Sequence, residues 1–284
     1  MTYVKSPLNV PSIAEKEKGI FTEAFSEYGI PVEYSNLTTG PEQTQALSSG
    51  DIQFLYAVGA TSVILSASNG ADIKIISTYS RSPEAFRLFT GKEGSIQTAA
   101  DLAGKKIAGP KGTILHELLI AYLATAGLTE NDVEFLSMGI PDAQAALAGG
   151  TVDCALLAGP VAYNMAKDGY PIVTTGQGLV DATIVVATSQ DFYEKNPLLV
   201  KRFLEAQDRI QQYMEESPQE ILEITAKETE LSIDAVKEMF PMYDFSTEIT
   251  EADLASMKKT EQFMKDNGMI ENRVDIDSLI LKVE

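Results

Sequence analysis

The residues best suited to hold a ligand lie at a junction of strand, loop and helix in segment 104–113. The segment reads Gly-Lys-Lys-Ile-Ala-Gly-Pro-Lys-Gly-Thr, a short apolar strand that ends in a glycine-rich loop, and a helix is predicted to begin near Leu115. The first N–H groups of a helix have no partner inside the helix and lie at the positive end of its dipole. We therefore expect Gly112 and Thr113 to donate hydrogen bonds to a polar or anionic group. The segment lacks the Lys-Ser/Thr pattern of a nucleotide phosphate loop.

A second junction of the same kind is predicted at Gly59, Ala60 and Thr61. A strand is predicted over 51–56, and small residues then open a helix predicted over 62–67. Its N–H groups should face the same way as those of the first junction, towards the same ligand. Ser6 and Asn9 lie in a loop that contains two prolines and are further candidates. Turn formation and helix capping explain these two polar side chains equally well.

Four other side chains could take part in ligand binding or catalysis, but each also has a structural explanation. Arg81 would suit an anion if it lay in a hinge strand beside a cleft, and it would otherwise be a solvated surface residue. Asp142 could act on a ligand or cap the helix predicted over 143–147. Cys154 lies in an apolar strand, where an inert buried thiol is expected. His116, at a helix start, could serve as a general base or as a structural residue.

Composition excludes several classes of function. The chain has 284 residues, of which 44% are hydrophobic and 22% charged, as in globular proteins. Its net charge of −19 makes nucleic acid or an anionic membrane an improbable partner. One cysteine and one histidine exclude an internal disulfide, a multi-cysteine zinc site and a multi-histidine metal cage, so no metal or cofactor is expected. No apolar run reaches the length of a membrane span, and the N-terminus shows no basic-then-apolar leader.

The order of predicted elements indicates an α/β protein. Strands alternate with helices as far as a strand predicted over 182–187, and four helices in series follow, over 190–217, 218–229, 232–240 and 250–267. The first helix is predicted over 12–28, with Ser12 and Glu15 forming a capping box. Gln45-Ala-Leu-Ser-Ser-Gly-Asp51 is echoed later by Ala146-Leu-Ala-Gly-Gly-Thr-Val-Asp153, which favours two similar lobes. We expect one lobe to comprise 1–82 and 187–284, the other 83–186, with hinge strands near 80–88 and 180–188.

The same motifs, taken in order, resemble those of a known family, the type II solute-binding proteins of ABC importers. The similarity is greatest to the branch that binds aliphatic sulfonates, taurine, nitrate and thiamine-precursor pyrimidines. It covers nearly the whole chain, including the serial C-terminal helices. The matching residues are Gly19-Ile20-Phe21, Gly40-Pro41, Ala46-Leu47, Gly50-Asp51-Ile52, Ala100-Asp-Leu-Ala-Gly-Lys-Lys-Ile107, Gly112-Thr113, Gly127-Leu128 and Asp132-Val133.

The resemblance implies a periplasmic binding protein type II fold, with two α/β lobes, an interlobe cleft and extra C-terminal helices. Closure would occur by hinge motion, and the protein would be a monomer that works outside the cytoplasm, periplasmic or lipid-anchored, beside an ABC permease and ATPase. The ligand contacts would come from both lobes and from the crossings between them. They are Ser6, Leu8, Asn9, Gln43, Gly59, Ala60 and Thr61 in the first lobe, Gly112, Thr113, Asp142 and Gly159 in the second, and Arg81 and Asp181 at the crossings.

The leading hypothesis is therefore capture of a small polar or anionic organic solute, sulfonate-, nitrate- or pyrimidine-like, with no catalysis. Backbone N–H groups would hold the head of the solute, and Leu8, Tyr56 or Phe86 would meet an apolar tail. One alternative is an enzyme of the menaquinone-pathway type on the same fold, with His116 as base. A pyrimidine synthase is disfavoured because such enzymes use a cysteine-rich segment. A ligand-sensing domain is a further alternative.

Overall fold

Two β-sheets, each packed against helices, form the frame of the computed structural model, which describes residues 1–283. The first sheet has three strands in the order β1-β8-β2, with β8 antiparallel to both neighbours. The second has five strands in the order β5-β4-β6-β3-β7, in which β4 is parallel to β5 and β6, and β3 is antiparallel to β6 and β7. The strands are β1 (Leu55–Gly59), β2 (Lys74–Arg81), β3 (Phe86–Thr90), β4 (Lys106–Gly109), β5 (Glu134–Ser137), β6 (Cys154–Ala158), β7 (Ile172–Thr175) and β8 (Thr183–Thr188).

The helices account for most of the remaining ordered chain. Helices α5, α6 and α7 follow strands of the second sheet, whereas α4 packs on the first sheet and α12 packs against α4. The α-helices within residues 1–283 are α1 (Val10–Lys18), α2 (Ile20–Ser26), α3 (Gly40–Ser49), α4 (Ala60–Ser68), α5 (Ile114–Ala124), α6 (Ile140–Ala148), α7 (Gly159–Lys167), α8 (Gln190–Lys195), α9 (Pro197–Glu216), α10 (Pro218–Thr229), α11 (Ile233–Met239), α12 (Glu251–Asp266) and α13 (Ile276–Leu279).

The chain passes from the first sheet to the second and back. It leaves at the end of β2, builds the whole second sheet, and returns as β8 between β1 and β2. We call the two units the first and second lobes, each defined by its sheet. The predicted end of the second lobe, residue 186, falls within β8, so sheet membership places the return crossing before Thr183. The largest apolar cluster includes Tyr56 and Val186 of the first sheet and Ile107 and Leu156 of the second, which shows that the lobes share a core.

Two predicted helices are each divided in the structure. The helix predicted over 12–28 is broken at Gly19, which adopts a left-handed φ of 67°. Ser12 is not its cap, because the helix begins at Val10 and the Ser12 hydroxyl lies 2.8 Å from the hydroxyl of Tyr79. The helix predicted over 190–217 ends at Lys195 and a new one begins at Pro197. Proline is favoured at the first position of a helix because its missing N–H is not needed there.

Near the N-terminus, Thr2 and Ser35 form an isolated bridge. The strand predicted over 51–56 corresponds to β1 (Leu55–Gly59), and the strand predicted over 182–187 corresponds to β8 (Thr183–Thr188). Within residues 1–283, every helix is too short or too polar to cross a membrane.

Candidate functional site

A cavity of about 540 Å³ lies between the two lobes. The first lobe contributes Ser6, Asn36 and Gln43 to its wall, and the second contributes Phe86 and Thr113, among others. Cavities of this size hold organic ligands of low molecular mass. The space between the lobes is therefore the candidate binding site.

Five helices begin at the wall of this cavity. Gly40 and Ile140 are the first residues of α3 and α6, and Gly59, Thr113 and Ala158 immediately precede α4, α5 and α7. Each of these helices has nine to eleven residues. The first turn of a helix presents unpaired N–H groups and the positive end of the dipole. In α3 the first turn is already capped by Thr39 and Glu42, and the second residue of α3, α6 and α7 is a proline without an N–H. The starts of α4 and α5 therefore offer the most free donors, and together with the five helix dipoles they favour negative charge in the cavity.

The charged side chains of the cavity wall are Lys5, Lys16 and Glu228, within the described part of the chain. Nζ of Lys5 lies 3.1 Å from Oε1 of Glu228, and the Tyr3 hydroxyl donates to the same oxygen at 2.8 Å. Burial acts to raise the pKa of Glu228, but these hydrogen bonds outweigh it and hold the pKa below its ordinary value. Nζ of Lys16 lies 4.1 Å from the centroid of the Tyr3 ring. The cavity wall thus carries a net positive charge in a chain whose net charge is −19.

Apolar side chains from both lobes form another part of the wall. Val4, Pro7 and Ile184 come from the first lobe, and Phe86 and Val161 come from the second. Such a surface suits a hydrocarbon or aromatic group, because its burial removes apolar area from water. The cavity therefore combines an anion-favouring region with an apolar one.

Four of the ligand contacts that the resemblance implied line the cavity: Ser6, Gln43, Gly59 and Thr113. Phe86, which we expected to meet an apolar tail, lines it as well, whereas Tyr56 is fully buried in the core. Nε2 of Gln43 donates to the carbonyl oxygen of Leu37 at 3.1 Å, which fixes the orientation of its amide. The Thr113 hydroxyl donates to the carbonyl oxygen of Pro110 at 2.8 Å and keeps its acceptor capacity. Whether these four residues contact a ligand stays a prediction.

Five predicted contacts are not among the residues that line the cavity, although three of them carry the first N–H groups of α4 and α7, so their contact with a ligand stays a prediction. Leu8 is fully buried in the apolar core, and Asn9 donates to the carbonyl oxygens of Val4 and Ser6 at 2.8 and 3.0 Å. These contacts shape the loop that carries Ser6. The other three follow wall residues in the sequence and are buried against the opposite lobe or the core; they are Ala60, Thr61 and Gly159.

The Gly112 N–H, which we predicted to bind a ligand, has a partner within the protein in this structure. It donates to Nδ1 of His116 at 3.3 Å. The Gly112 carbonyl is also engaged, since it accepts a hydrogen bond from the Ser62 hydroxyl at 2.8 Å. Gly112 adopts a left-handed φ of 72°, and a Cβ there would lie 2.8 Å from the side chain of Leu65. Gly112 thus shapes the loop and joins it to the first lobe.

Arg81 also lies away from the cavity, contrary to the prediction that it holds an anion there. Its Nε and one terminal nitrogen donate to the two carboxylate oxygens of Asp253, both at 2.6 Å. The other terminal nitrogen reaches Asp244 at 3.3 Å. This bidentate arrangement clamps β2 to the start of α12. Arg81 is therefore a structural residue of the first lobe.

The two predicted aspartate contacts are likewise outside the cavity wall. Asp142 is exposed in the first turn of α6, where Ile140 and Pro141 line the cavity instead. Asp181 accepts a hydrogen bond from the Ser256 hydroxyl at 2.7 Å, behind the cavity. Neither aspartate is among the residues that line the cavity.

The two residues with the greatest catalytic potential are engaged or buried elsewhere. His116 accepts from Gly112 through Nδ1, so Nε2 carries the proton and donates to Oε2 of Glu130 at 3.0 Å. Burial holds the pKa of His116 below its ordinary value, and its ring stacks on Phe135. Cys154 is fully buried in β6, where burial raises the pKa of its thiol to about 12. These positions do not fit a base or a nucleophile that acts in the cavity.

Sequence reasoning missed the charged part of the wall. Lys5 immediately precedes the loop that carries Ser6, Lys16 lies within the helix predicted over 12–28, and Glu228 lies near the end of the helix predicted over 218–229; we named none of them as a candidate. A cation beside the proline-containing loop was the one available signal. Glu228 offered none, because it is 223 residues away from its partner Lys5 in the sequence.

Comparisons with known proteins show what the chain is similar to. The model of the NMT1/THI5-like family matches residues 7–221. A Bacillus subtilis (strain 168) protein, provisionally named an aliphatic sulfonates-binding protein, is 26% identical over 274 residues, which cover 95% of this chain and 82% of the relative. The taurine-binding periplasmic protein of Escherichia coli (strain K12) is 29% identical over 180 residues, 62% of this chain and 55% of the relative.

The chain spans just under two thirds of the length of some other relatives. A provisionally named binding protein of Brucella abortus (strain 2308) is 28% identical over 227 residues, which cover 74% of this chain and 65% of that protein.

Solved structures confirm the fold that the sequence predicted. The alkanesulfonate-binding protein SsuA from Xanthomonas axonopodis pv. citri, bound to MOPS, superposes with a TM-score of 0.89 at 20% identity, over 99% of this chain and 96% of that one. The desulfurization enzyme DSZB, in complex with biphenyl-2-sulfinic acid, has the same fold, with a TM-score of 0.70 at 19% identity over 99% and 96% of the two chains. At these identities the likeness establishes the periplasmic binding protein fold and leaves the activity to other arguments. The matched family model covers most of the chain, and we conclude that this protein belongs to the NMT1/THI5-like family.

Proposed function

We propose that this protein is the extracytoplasmic solute-binding component of an ABC importer and that it captures an organic sulfonate. The observation that carries the proposal is the convergence of five helix N-termini on a cavity whose wall also holds Lys5 and Lys16. Backbone N–H groups and ammonium groups both favour a singly charged oxyanion head. The names of the Bacillus subtilis and Escherichia coli relatives, which refer to aliphatic sulfonates and taurine, support the same ligand class.

The apolar part of the cavity wall argues for a ligand with a hydrocarbon body. A bare oxyanion such as nitrate would leave Phe86, Val161 and Ile184 uncovered in a cavity of about 540 Å³. An alkyl or aryl group on the sulfonate would cover these side chains, and each buried methylene adds roughly 0.8 kcal/mol to binding. Affinity should therefore rise with chain length, from taurine to sulfonates of several carbons.

A binding role without catalysis fits the chemistry of the cavity wall better than an enzyme does. His116 and Cys154 are engaged or buried outside it, and Glu228 is held by Lys5 and Tyr3. No reacting group is needed for capture and release. We infer that the ligand leaves the protein chemically unchanged.

Transport requires a change of shape and partners in the membrane. We propose that the lobes, with boundaries near those expected from the sequence (1–82 with 187–284, and 83–186), rotate about the segments near 80–88 and 180–188. The closed, ligand-bound monomer would then dock on an ABC permease with its ATPase. The periplasmic Escherichia coli relative supports a location outside the cytoplasm.

Isothermal titration calorimetry tests the ligand class directly. The probes are taurine, butanesulfonate, octanesulfonate, butanoate, nitrate and a hydroxymethylpyrimidine. We expect binding of the sulfonates, with the octyl compound tighter than the butyl one, and weak or no binding of nitrate and the pyrimidine. Failure of all three sulfonates to bind would overturn the proposal, as would turnover of a bound sulfonate.

A matched pair of lysine variants tests the site. Lys16→Met removes a cation from the cavity wall, whereas Lys18→Met removes one on the same helix that pairs with Glu220 outside the cavity. We expect Lys16→Met to weaken sulfonate binding about fivefold, which corresponds to roughly 1 kcal/mol, and to reduce its salt dependence. Lys18→Met should bind as the wild type does. Equal affinities of the two variants would place the anion elsewhere.

A further inference from the structure

A buried carboxylate links the two lobes directly behind the cavity. Glu117 lies on α5 of the second lobe, and only 6% of its surface is exposed. The Thr61 hydroxyl donates to its Oε2 at 2.5 Å, and the Thr260 hydroxyl donates to its Oε1 at 3.0 Å. Both threonines belong to the first lobe, on α4 and α12. One side chain therefore joins three helices across the lobe boundary.

The Glu117 carboxylate lies close to two of the helix starts at the cavity wall. Helices α4 and α5 are two of the five that begin at the cavity wall, through Gly59 and Thr113. Thr61 is the second residue of α4, and Glu117 is the fourth of α5. A change in the contact between Thr61 and Glu117 thus acts within one turn of both helix starts. The carboxylate itself does not line the cavity, so it would act on the ligand through the position of these helices.

The surroundings of Glu117 disfavour its negative charge. The neighbouring side chains on α4, α5 and α12 are Ala60, Ile114, Ser256 and Met257, none of which carries charge. The charged groups that face Glu117 are Asp181, from the segment before β8, and Lys259, from α12. Burial raises the pKa of Glu117, the two threonine hydrogen bonds lower it, Asp181 raises it and Lys259 lowers it; the net direction is upward.

Separation of the lobes would change these surroundings. If α5 moves away from α4 and α12, water reaches the carboxylate, and its pKa returns towards the ordinary value of about 4.3 for glutamate. The closed form then binds a proton more tightly than the open form. By linkage, closure takes up a proton from solvent, and it becomes more favourable as pH falls from the raised pKa towards the ordinary one. A protonated Glu117 keeps both threonines as partners, because a hydroxyl group can donate or accept.

We propose that Glu117 is a positioning residue that couples closure of the two lobes to the uptake of one proton, so that ligand affinity increases as pH falls. The coupling to affinity rests on the proposed function, since it requires that the ligand binds the closed form. The coupling to closure does not depend on which ligand binds. The two parts can therefore be tested separately.

The first experiment measures closure without ligand. Small-angle X-ray scattering would give the radius of gyration of the wild type, Glu117→Gln and Glu223→Gln between pH 4.5 and 8. Glu117→Gln is uncharged at every pH, and Glu223→Gln is an exposed control that pairs with Gln219. We expect the wild type and the control to become more compact as pH falls, and Glu117→Gln to be compact and independent of pH. The same pH dependence in all three proteins would overturn the proposal, and so would none in the wild type.

The second experiment measures proton uptake and affinity with butanesulfonate as the probe. Titrations in two buffers of different ionisation enthalpy give the number of protons bound, which should approach one for the wild type between the two pKa values and be smaller for Glu117→Gln. The dissociation constant of the wild type should fall by up to tenfold per pH unit in that window. If butanesulfonate does not bind but the scattering result holds, the ligand assignment fails and the proton coupling stands. Binding with equal proton uptake by both proteins would overturn the coupling.

A second variant provides a test that does not depend on correct folding of Glu117→Gln. Thr260→Val removes one of the hydrogen bonds that lower the pKa of Glu117, so the pH window of compaction should move to higher pH. A compaction midpoint unchanged from that of the wild type would contradict the role of Glu117.

Discussion

Gly159 of the second lobe packs directly on the backbone of Pro7 in the first lobe. A Cβ built on Gly159 would overlap the Pro7 carbonyl group, and Gly159 adopts a left-handed φ of 63°. Pro7 and Ala158, the residue before Gly159, both line the cavity. The absence of a side chain at residue 159 therefore lets the lobes meet at the edge of the binding site.

Gly159→Ala should prevent this contact and weaken ligand binding. The added methyl group has only backbone to meet, so the lobes must stay apart by the width of a methyl group. We expect the dissociation constant for butanesulfonate to rise at least tenfold, or about 1.4 kcal/mol. Calorimetric titration would measure the change.

Gly150→Ala is the matched control. Gly150 has a similar φ of 69°, but a Cβ there would meet nothing within 4 Å. Both variants should lose about 1–2 kcal/mol of unfolding free energy through backbone strain. Only Gly159→Ala should lose affinity. A similar loss in Gly150→Ala would assign the effect to strain and not to the contact between lobes.

Arg81 should contribute to stability and not to binding. Arg81→Ala leaves the buried carboxylate of Asp253 without its cation, and such a loss costs about 3–5 kcal/mol of unfolding free energy. The exposed pair of Arg209 and Glu23 provides the control, because Arg209→Ala should cost less than about 1 kcal/mol. Urea denaturation would measure both. If Arg81→Ala folds but binds sulfonate more weakly than the wild type, Arg81 contributes to ligand binding, contrary to this prediction.

His116 should make stability depend on pH in the slightly acidic range. Burial holds its folded pKa below the ordinary value of about 6.5, so the unfolded chain binds a proton that the folded protein does not. The contribution of His116 to the free energy of unfolding should therefore fall as pH drops below about 6.5, by at most about 1.4 kcal/mol per pH unit, and level off below the folded pKa.

His116→Asn isolates this effect, because the asparagine oxygen can still accept from the Gly112 N–H without titrating. The difference in unfolding free energy between wild type and variant should shrink as pH falls from 7 to 5. A constant difference would mean that His116 does not titrate with a lowered pKa.

Local sequence patterns predicted the helix starts at the site, whereas contacts between residues distant in the sequence determine the roles of other candidate residues. Gly59 and Thr113 were identified because glycine or threonine between an apolar strand and a helix is a local signal. The role of Arg81 was not predictable, since its partner Asp253 lies 172 residues away and joins it only through folding of the C-terminal helices. Gly112 and His116 are four residues apart, so the sequence did contain a signal for their hydrogen bond that we did not use.

Ser62 should contribute to affinity through the contact between lobes. Its hydroxyl, on α4 of the first lobe, donates to the Gly112 carbonyl of the second at 2.8 Å, and the residue lines the cavity. Ser62→Ala removes this hydrogen bond, which is worth roughly 1 kcal/mol, so the closed form should lose stability and the dissociation constant should rise about fivefold. Ser66→Ala, one turn along the same helix and outside the cavity wall, should leave affinity unchanged. Calorimetry with butanesulfonate would compare the two, and an unchanged constant in Ser62→Ala would show that this hydrogen bond is present in both the open and the closed forms.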